Sequence, residues 1–532
     1  GRWYQVRQDA KAAQRADVAK AAAAAVPRPL TFWEQYRRKP QGMVGLAIVL
    51  AYVLVAAFAP FLAPYDPMND LYLADMLAAP AWLSKLSTRY RDCPPTIRLR
   101  LGLDDWTQED LGGAVVSSYE HEEGQGIQFD LPPTEVEAPE EEEPTFSFVR
   151  KIEWNPWATE TSGEEDDDMA SDEAEEAEAP RKGVVLSRAM SYRYKTPNTF
   201  STKFEYEVEA PESAETCIML ELVTPDGQAR DLWDTTVTGS VEYANAIVDA
   251  RDLDLKLRLG LSFFDEPSQV LFREKGDYTI RVNVSAVSPD GPVRVRMGPV
   301  AFEVLGMVHG VLGVDHMGSD LWSQLIYGTR IALAIGLSTA FIAVAIGTTV
   351  GIVAGYVGGA VDEFLMRVVD VLLAIPSLPI LIILGALFGK SVANIVILLA
   401  LLSWMGIARL VRSQTLSLKE RTFVEAARAS GASRQYVMLH HILPNVMPLI
   451  FANLVLRIPG AILTEASLSF LGLGDPRVAT WGRILQNARQ FGAFTIMAWW
   501  WLIPPGLALT FMSLAFVFIG NSVNEILNPR YR

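Results

Sequence analysis

The sequence predicts a polytopic α-helical membrane protein with six transmembrane helices and a large extracytoplasmic insert containing a small β-sandwich-like domain. Two observations support this prediction. Six apolar runs are long enough to cross a bilayer, which takes about 20 residues per helix. Between the first run and the other five lies a long acidic segment, whose later part alternates polar and apolar residues as strands do.

The membrane part and the insert differ in charge. Residues 65–305 hold 49 acidic and 22 basic residues, whereas the remainder holds 13 acidic and 24 basic. The basic residues cluster before the first apolar run and in a loop at 421–442, and the positive-inside rule places both in the cytoplasm. We therefore expect both termini in the cytoplasm. The negative soluble region argues against nucleic acid as a partner.

These segments predict a domain organisation. Residues 1–41 form a cytoplasmic tail, residues 64–312 the extracytoplasmic insert, and residues 313–530 the main membrane core. Within the insert, the stretch at 135–180 is too charged to bury a core and is expected to be disordered, and residues 183–305 form the β-rich domain. The six predicted spans are residues 42–63, 331–356, 364–388, 392–411, 443–464 and 497–520.

The insert shows strand-like alternation. Phe204, Tyr206 and Val208 alternate with glutamates, and Pro-Asp-Gly turns occur at 225–227 and 289–291. Residues 93–130 predict one or two weaker strands, and residues 242–259 a helix or an irregular crossover.

The two cysteines of the sequence, Cys93 and Cys217, both lie in the insert. An extracytoplasmic location permits a disulfide between them. Their wide separation in sequence favours two free thiols, and the pair stays a candidate disulfide.

The loop at 421–442 has more internal order than a simple connection needs. Thr422 and Glu425 have the spacing of a capping box at the start of a helix. Phe423, Ala427 and Gly431 recur every four residues, which predicts one face of small or apolar side chains. Pro444 suits the first turn of the following helix.

The run Glu425-Ala426-Ala427, followed by Gly431 and then His441-Ile442-Leu443-Pro444, resembles the EAA loop of ABC importer permeases. That family generally has Ile at the position of His441, whereas its dipeptide, oligopeptide and nickel branch usually has His. Stretches at 312–331, 355–376 and 465–482 also match, with departures at Val314 and Ser319. The resemblance covers residues 310–530 strongly and 42–63 weakly, and it leaves out the acidic insert.

The resemblance implies a multi-pass permease subunit of a bacterial or archaeal plasma (inner) membrane that imports peptides or related solutes. It implies four kinds of partner: a second homologous permease, two cytoplasmic ABC ATPases that bind Mg-ATP, an extracytoplasmic solute-binding protein and the lipid bilayer. The expected ATPase-coupling residues are Thr422, Glu425, Ala426, Ala427, Gly431, His441, Leu443 and Pro444.

No catalytic set is expected on this chain. The sequence has no GxxxxGK[ST] phosphate-binding loop, so no cofactor is expected on it and ATP hydrolysis is assigned to the partner subunits. His440 and His441 are neighbours that point about 100° apart on a helix, and no metal site is expected. The alternative function is an extracytoplasmic interaction or adhesion protein with a polytopic membrane anchor.

Residues inside the apolar runs suggest further sites. Gly347, Gly351 and Gly355 have the four-residue spacing of a helix-packing seam, with a pathway lining as the alternative. Pro376 and Pro379 predict a kink. Ionisable and polar groups in the membrane suggest pathway or inter-subunit contacts, against the alternative of helix-end anchoring and an Arg367–Asp370 pair. These candidates are Asp370, Glu465, Ser467 and Ser469.

Overall fold

The computed structural model describes residues 31–134 and 182–527, which fall into two units. A helical unit takes in the chain up to Trp82 and from His309 onward, and a strand-rich unit spans Leu83–Val308. Residues 64–82 and 309–312 of the predicted extracytoplasmic insert belong to the helical unit, and the bounds of the insert stay a prediction. The predictions for residues 1–30, 135–181 and 528–530 lie outside the described residues.

The described residues form the following helices, in chain order: α1 (Phe32–Arg37), α2 (Pro40–Ala57), α3 (Ala59–Leu62), α4 (Leu83–Leu86), α5 (Leu253–Arg258), α6 (Pro267–Leu271), α7 (Leu321–Val357), α8 (Gly359–Ala374), α9 (Ser377–Phe388), α10 (Val392–Ser403), α11 (Met405–Lys419), α12 (Thr422–Ala429), α13 (Arg434–Val437), α14 (Leu443–Phe470), α15 (Trp481–Gln490) and α16 (Trp499–Leu527). A π-helical turn, Met438–Ile442, joins α13 to α14.

Four helices in the described residues are long and apolar enough to cross a membrane: α2, α7, the continuous helix Arg434–Phe470, and α16. Two helix pairs pass the same test only as pairs, because each is bent at a short break. The pair α8 and α9 bends by 87°, and the pair α10 and α11 by 41°. The helical unit therefore provides four spans, or up to six when each bent pair counts as one.

The predicted kink at Pro376 is a complete break. Ile375 ends α8 in an extended conformation, with φ −85° and ψ 128°, and Pro376 is the residue before α9. A proline disfavours the helical conformation of the residue before it, and it removes one backbone donor.

Two spans begin earlier than hydropathy predicts. Helix α7 starts at Leu321 because Asp320 caps it, with the Ser323 amide donating to Oδ2 of Asp320 at 2.7 Å. The helix around α14 extends back to Arg434 through the π turn, so Pro444 lies in its first α-helical turn but no loop precedes it.

The strands follow the same order along the chain: β1 (Ala79–Pro80), β2 (Ile97–Leu101), β3 (Thr107–Asp110), β4 (Val115–His121), β5 (Gly124–Leu131), β6 (Lys182–Tyr192), β7 (Phe200–Glu209), β8 (Glu215–Val223), β9 (Ala229–Thr238), β10 (Val241–Asp249), β11 (Gly276–Val287), β12 (Val293–Met297), β13 (Val300–Val304) and β14 (Val308–His309).

Two antiparallel sheets make up the strand-rich unit. One has seven strands, in the order β2-β13-β7-β12-β5-β4 with β10 paired to β7, and the other has the order β3-β6-β11-β8-β9. Alternate residues of strands in both sheets form one apolar core, including Phe204 on β7 and Ile280 on β11. The alternation in the sequence arises because one face of each strand lies in this core.

Two predictions for this unit are wrong in detail. Residues 241–249 form strand β10, with Ala246 opposite Phe204, so the helix or crossover expected at 242–259 is found only in its second half, where α5 spans Leu253–Arg258. Residues 97–131 contribute four strands, β2 to β5, where one or two were expected. Both segments have weak local patterns, and their pairing partners are distant in sequence.

The candidate disulfide is absent, because Cys93 and Cys217 are both free thiols. Cys93 is buried, whereas Cys217 lies on β8 with Ser285 and Thr236 as its cross-strand neighbours. Burial raises the pKa of the Cys93 thiol. A raised pKa lowers the fraction of reactive thiolate at neutral pH.

These thiols lead to a labelling prediction. Without reductant, the denatured chain is expected to take two maleimide adducts, one on each thiol, as counted by mass spectrometry. In the folded protein, Cys217 is expected to react faster than Cys93, and Cys93→Ser and Cys217→Ser variants assign each rate. A chain that accepts adducts only after reduction would show that the two residues form a disulfide.

Candidate coupling loop

The loop between α11 and α14 folds as a helical elbow. Helix α12 leaves the end of α11, the chain reverses around Gly431, and α13 returns through the π turn into α14. The second arm and α14 form one helix from Arg434 to Phe470, 37 residues long. Any displacement of this arm is therefore transmitted directly along a helix that enters the membrane.

The predicted capping box at Thr422 is wrong, because Thr422 is not the N-cap of α12. Arg421 is the N-cap of α12 and contributes no side-chain cap, so Thr422 is the first helical residue. The Arg421 carbonyl accepts from the amides of Val424 and Glu425, at 2.9 and 3.2 Å. Glu425 lies in the first turn, where a negative charge interacts favourably with the helix dipole.

Helix α12 ends in a Schellman motif centred on Gly431. The Gly431 amide donates to the Arg428 carbonyl at 3.0 Å, and the Ala432 amide donates to the Ala427 carbonyl at 3.1 Å. This arrangement needs a left-handed residue, and Gly431 has φ +81°. The left-handed backbone conformation between the two arms thus favours glycine at this position.

The second arm begins at Ser433, whose side chain accepts from the Tyr436 amide at 3.3 Å. This cap was not predicted from the sequence, although serine is among the residues preferred at the N-cap of a helix. The Tyr436 ring then stacks on His440 with centroids 4.3 Å apart, and it meets His441 edge-on at 5.8 Å. These contacts give the two adjacent histidines a packing role.

The two arms enclose an open groove of about 600 Å³. Phe423 and Tyr436 on its walls are 39% and 49% exposed, which leaves apolar surface uncovered. Exposed apolar patches of this kind mark protein interfaces. The full lining is Phe423, Ala426, Ala427, Ser430, Gly431, Ala432, Ser433, Tyr436 and His441.

The groove contains only part of the predicted coupling set. Ala426, Ala427, Gly431 and His441 line it, together with Phe423 of the predicted small-residue face. The other four predicted residues, Thr422, Glu425, Leu443 and Pro444, lie on the two arms outside its lining. The coupling role of all eight stays a prediction.

The back of the loop is fixed to the helical unit. Val424, Val437 and Ile442 are fully buried and pack in one cluster with Tyr356 and Val411. The Arg428 guanidinium lies 5.3 Å from the centroid of the Tyr356 ring, a cation–π contact. The loop therefore presents its open face outward while its other face is anchored to α7, α11 and α14.

Two aspartates of α8 pair with arginines of α11. Asp362 accepts from Arg412 Nη2 at 2.6 Å, and Asp370 forms an ion pair with Arg409. The alternative pair between Arg367 and Asp370 is thus wrong, because a partner on the facing helix is available to Asp370. Both ion pairs join α8 to the helix that leads into the loop.

The predicted glycine seam lies between α7 and α11. A Cβ at Gly347 would be 2.6 Å from the Trp404 carbonyl oxygen, and one at Gly351 would be 2.7 Å from that of Ala408. At Gly355 it would be 2.8 Å from Cβ of Thr415. Because these three positions of α7 have no side chain, the two helices can approach this closely.

The predicted pathway residues separate into two groups. Glu465 is 3% exposed, and its Oε1 accepts from the hydroxyl of Ser469, also buried, at 2.6 Å. Asp370 and Ser467 are exposed on the helical unit. The pathway role of all four stays a prediction, and only Asp370 and Ser467 are accessible to a neighbouring subunit.

Residues 347–532 match a family model described as a binding-protein-dependent transport system inner membrane component. Residues 30–80 match one described as the N-terminal TM domain of oligopeptide transport permease C. The chain is 41% identical over 221 residues to the oligopeptide transport system permease protein OppC of Haemophilus influenzae, covering 41% of this chain and 70% of that protein. It is 40% identical over 222 residues to the glutathione transport system permease protein GsiD of Pectobacterium atrosepticum, covering 42% of this chain and 73% of that protein.

Proposed function

Because the chain belongs to the family of binding-protein-dependent transport system inner membrane components, we propose that it forms half of the translocation pathway of an ATP-driven importer. Its solutes are peptides or related small molecules, in line with the oligopeptide and glutathione permeases among its relatives. The observation that carries this proposal is the family match, which includes the whole coupling loop. The chain is a multi-pass inner-membrane permease and has no catalytic role of its own.

The proposed complex contains four other subunits or components. A second homologous permease completes the pathway, two cytoplasmic ATPases bind and hydrolyse Mg-ATP, and an extracytoplasmic solute-binding protein delivers the solute. The exposed apolar groove of the coupling loop supports docking of an ATPase, because its walls offer uncovered aromatic rings around small residues. We assign that groove to one of the two ATPases.

The proposed topology has six spans of the type I importer permease fold, with each bent helix pair counted as one span. Arg37, Arg38 and Lys39 before α2, and the basic residues of the coupling loop, support cytoplasmic locations for both. An even number of spans places both termini on the same side of the membrane, which on this topology is the cytoplasmic side. On this topology the strand-rich unit is extracytoplasmic, and we assign it a β-sandwich fold and contact with the solute-binding protein.

The proposed mechanism is mechanical. Closure of the ATPases on ATP displaces the elbow, and the 37-residue helix Arg434–Phe470 carries the displacement into the membrane. The ion pairs Asp362–Arg412 and Asp370–Arg409 make α8 follow α11. Two packed arrangements of such helices are sufficient for alternating access.

Co-purification and uptake together test this function. The tagged chain, expressed with the proteins encoded beside it, is expected to purify with an ATPase and a second permease. Proteoliposomes of that complex are expected to accumulate trialanine only with ATP and binding protein present. An inactive ATPase variant in the same complex serves as the control. A chain that purifies alone, or with envelope components and without an ATPase, would instead support an anchored interaction protein.

A further inference from the structure

Arg457 lies well inside the membrane-spanning helix Arg434–Phe470. It is the fifteenth of the 28 residues of α14, roughly 20 Å of helical rise from either end. An arginine at this depth is costly unless it faces a polar interior or a counter-charge. Because hydropathy is averaged over many residues, this single arginine did not interrupt the apolar run predicted at 443–464.

The guanidinium of Arg457 has only part of its hydrogen-bonding capacity used. Nη1 donates to the Ser403 carbonyl at 2.8 Å, where α10 ends. A guanidinium has five N–H donors. Among the described residues no carboxylate forms an ion pair with Arg457, and its bonded partner is the Ser403 carbonyl.

Arg457 lines a cavity of about 350 Å³ between α7, α9, α10 and α14. Most hydroxyl and amide groups on its walls are bonded to their own helices: Ser403 donates to the Leu399 carbonyl, Thr464 to that of Gly460, and Asn453 to that of Leu449. The remainder of the lining is largely apolar, including Leu381, Leu399, Leu402 and Leu456.

Thr339 is the buried exception among the hydroxyls on the wall of this cavity. It is 1% exposed, and its hydroxyl has no hydrogen-bond partner among the described residues. A buried hydroxyl without a partner is unfavourable, and a ligand oxygen or nitrogen that came within hydrogen-bond distance of it would satisfy it. The cavity therefore offers the guanidinium of Arg457 and one buried, unused hydroxyl on a wall of mixed polar and apolar side chains.

We propose that this cavity binds the free carboxylate of the transported solute, with Arg457 as the charged donor and Thr339 as the second donor. The inference rests on the proposed import function and adds the chemical class of group that the pathway recognises. The planar guanidinium matches a carboxylate in a two-point arrangement, and the interaction strengthens where water is scarce. A volume of this order accommodates the end of a short peptide.

Paired substrates test the assignment in the complete importer in proteoliposomes. The probes are trialanine and its C-terminal amide, each supplied at a concentration that saturates the binding protein. Arg457→Gln is expected to lower trialanine uptake at least tenfold and amide uptake less than threefold. Thr339→Val should lower trialanine uptake about threefold and should again affect uptake of the amide less. Thr349→Val is the matched control on α7, because that hydroxyl is exposed and bonds the Ala345 carbonyl of its own helix.

The outcomes separate this inference from the proposed function. An equal loss of uptake for both peptides in Arg457→Gln would overturn the carboxylate site. The arginine would then either hold α14 to α10 through its hydrogen bond to the Ser403 carbonyl or pair with a charge on the second permease. Unchanged uptake of both peptides would overturn it as well. Failure of the unaltered complex to transport either peptide, with ATP hydrolysis intact, would contradict the proposed import function itself.

Discussion

Replacing Gly431 with valine is expected to reduce ATP-dependent uptake about tenfold while the chain still reaches the membrane. Gly431 has φ +81°, a conformation that costs a side-chain-bearing residue roughly 1–2 kcal/mol and a β-branched residue more. A penalty of that size changes a two-state population by a factor of about 5–30. The variant loop would therefore rarely hold the Schellman geometry that joins its two arms.

The expected loss comes from the backbone and from the partner surface. A Cβ at 431 meets no other atom within 4 Å in the described residues, so no clash inside the chain contributes. The added side chain lies instead at the groove that we assign to the ATPase. ATP hydrolysis and peptide uptake, measured on the same proteoliposomes, report whether the variant loses docking of the ATPase or only the coupling of ATP hydrolysis to uptake.

Gly389→Val is the matched control for this experiment. Gly389 has φ +85°, and a Cβ there also meets no atom within 4 Å, but it lies between α9 and α10, away from the coupling loop. Gly431→Asn is expected to retain more uptake than Gly431→Val, because asparagine tolerates the left-handed region. Equal losses in Gly389→Val and Gly431→Val would mean that backbone strain anywhere disables the protein, and that the loop has no special role.

The membrane part could be predicted from sequence because lipid leaves few options. Backbone groups in the bilayer must bond within their own helix, so long apolar runs predict spans reliably. The boundaries were less predictable, since they depend on polar residues outside the apolar window. Asp320 caps α7 so that it begins ten residues before the predicted span, and residues 434–442 are helical because Val437 and Ile442 pack in a buried cluster.

The coupling loop shows both the success and the limit of local patterns. The four-residue spacing of Phe423, Ala427 and Gly431 correctly placed these residues on one surface, since all three line the groove. The capping box failed because Arg421 took the N-cap position with its backbone alone. The Tyr436–His440 stack needs ring orientations that sequence does not give.

In the strand-rich unit, alternation identified strands whose inner residues are large. Strand β7 has Phe204 and Tyr206 at core positions, and the alternation of its residues predicted it. Strand β10 has alanine at two of its positions facing β7, Ala244 and Ala246, so its pattern was too weak to distinguish from a crossover. Its pairing is determined by tertiary contact with β7, which no local window contains.

Replacing Gly351 with alanine is expected to destabilise the helical unit and disturb the coupling loop. The new Cβ would be 2.7 Å from the Ala408 carbonyl oxygen and 2.8 Å from Cβ of Val411. Backbone atoms cannot rotate away as a flexible side chain can, so α7 and α11 must separate. Overpacking of this kind costs typically about 1–3 kcal/mol, and each kcal/mol lowers the Tm by about 2–4 °C in a unit of this size.

Gly506→Ala is the matched control, because a Cβ at Gly506 in α16 meets no atom within 4 Å. Helix propensity alone favours alanine over glycine by about 1 kcal/mol, so this control is expected to keep or raise the Tm. Thermal unfolding of the purified complex and its ATP-dependent uptake are the two measurements. Gly351→Ala should lower both, since α11 leads directly into α12 and its displacement moves the groove. An unchanged Tm in Gly351→Ala would mean that the two helices are not held at the spacing described.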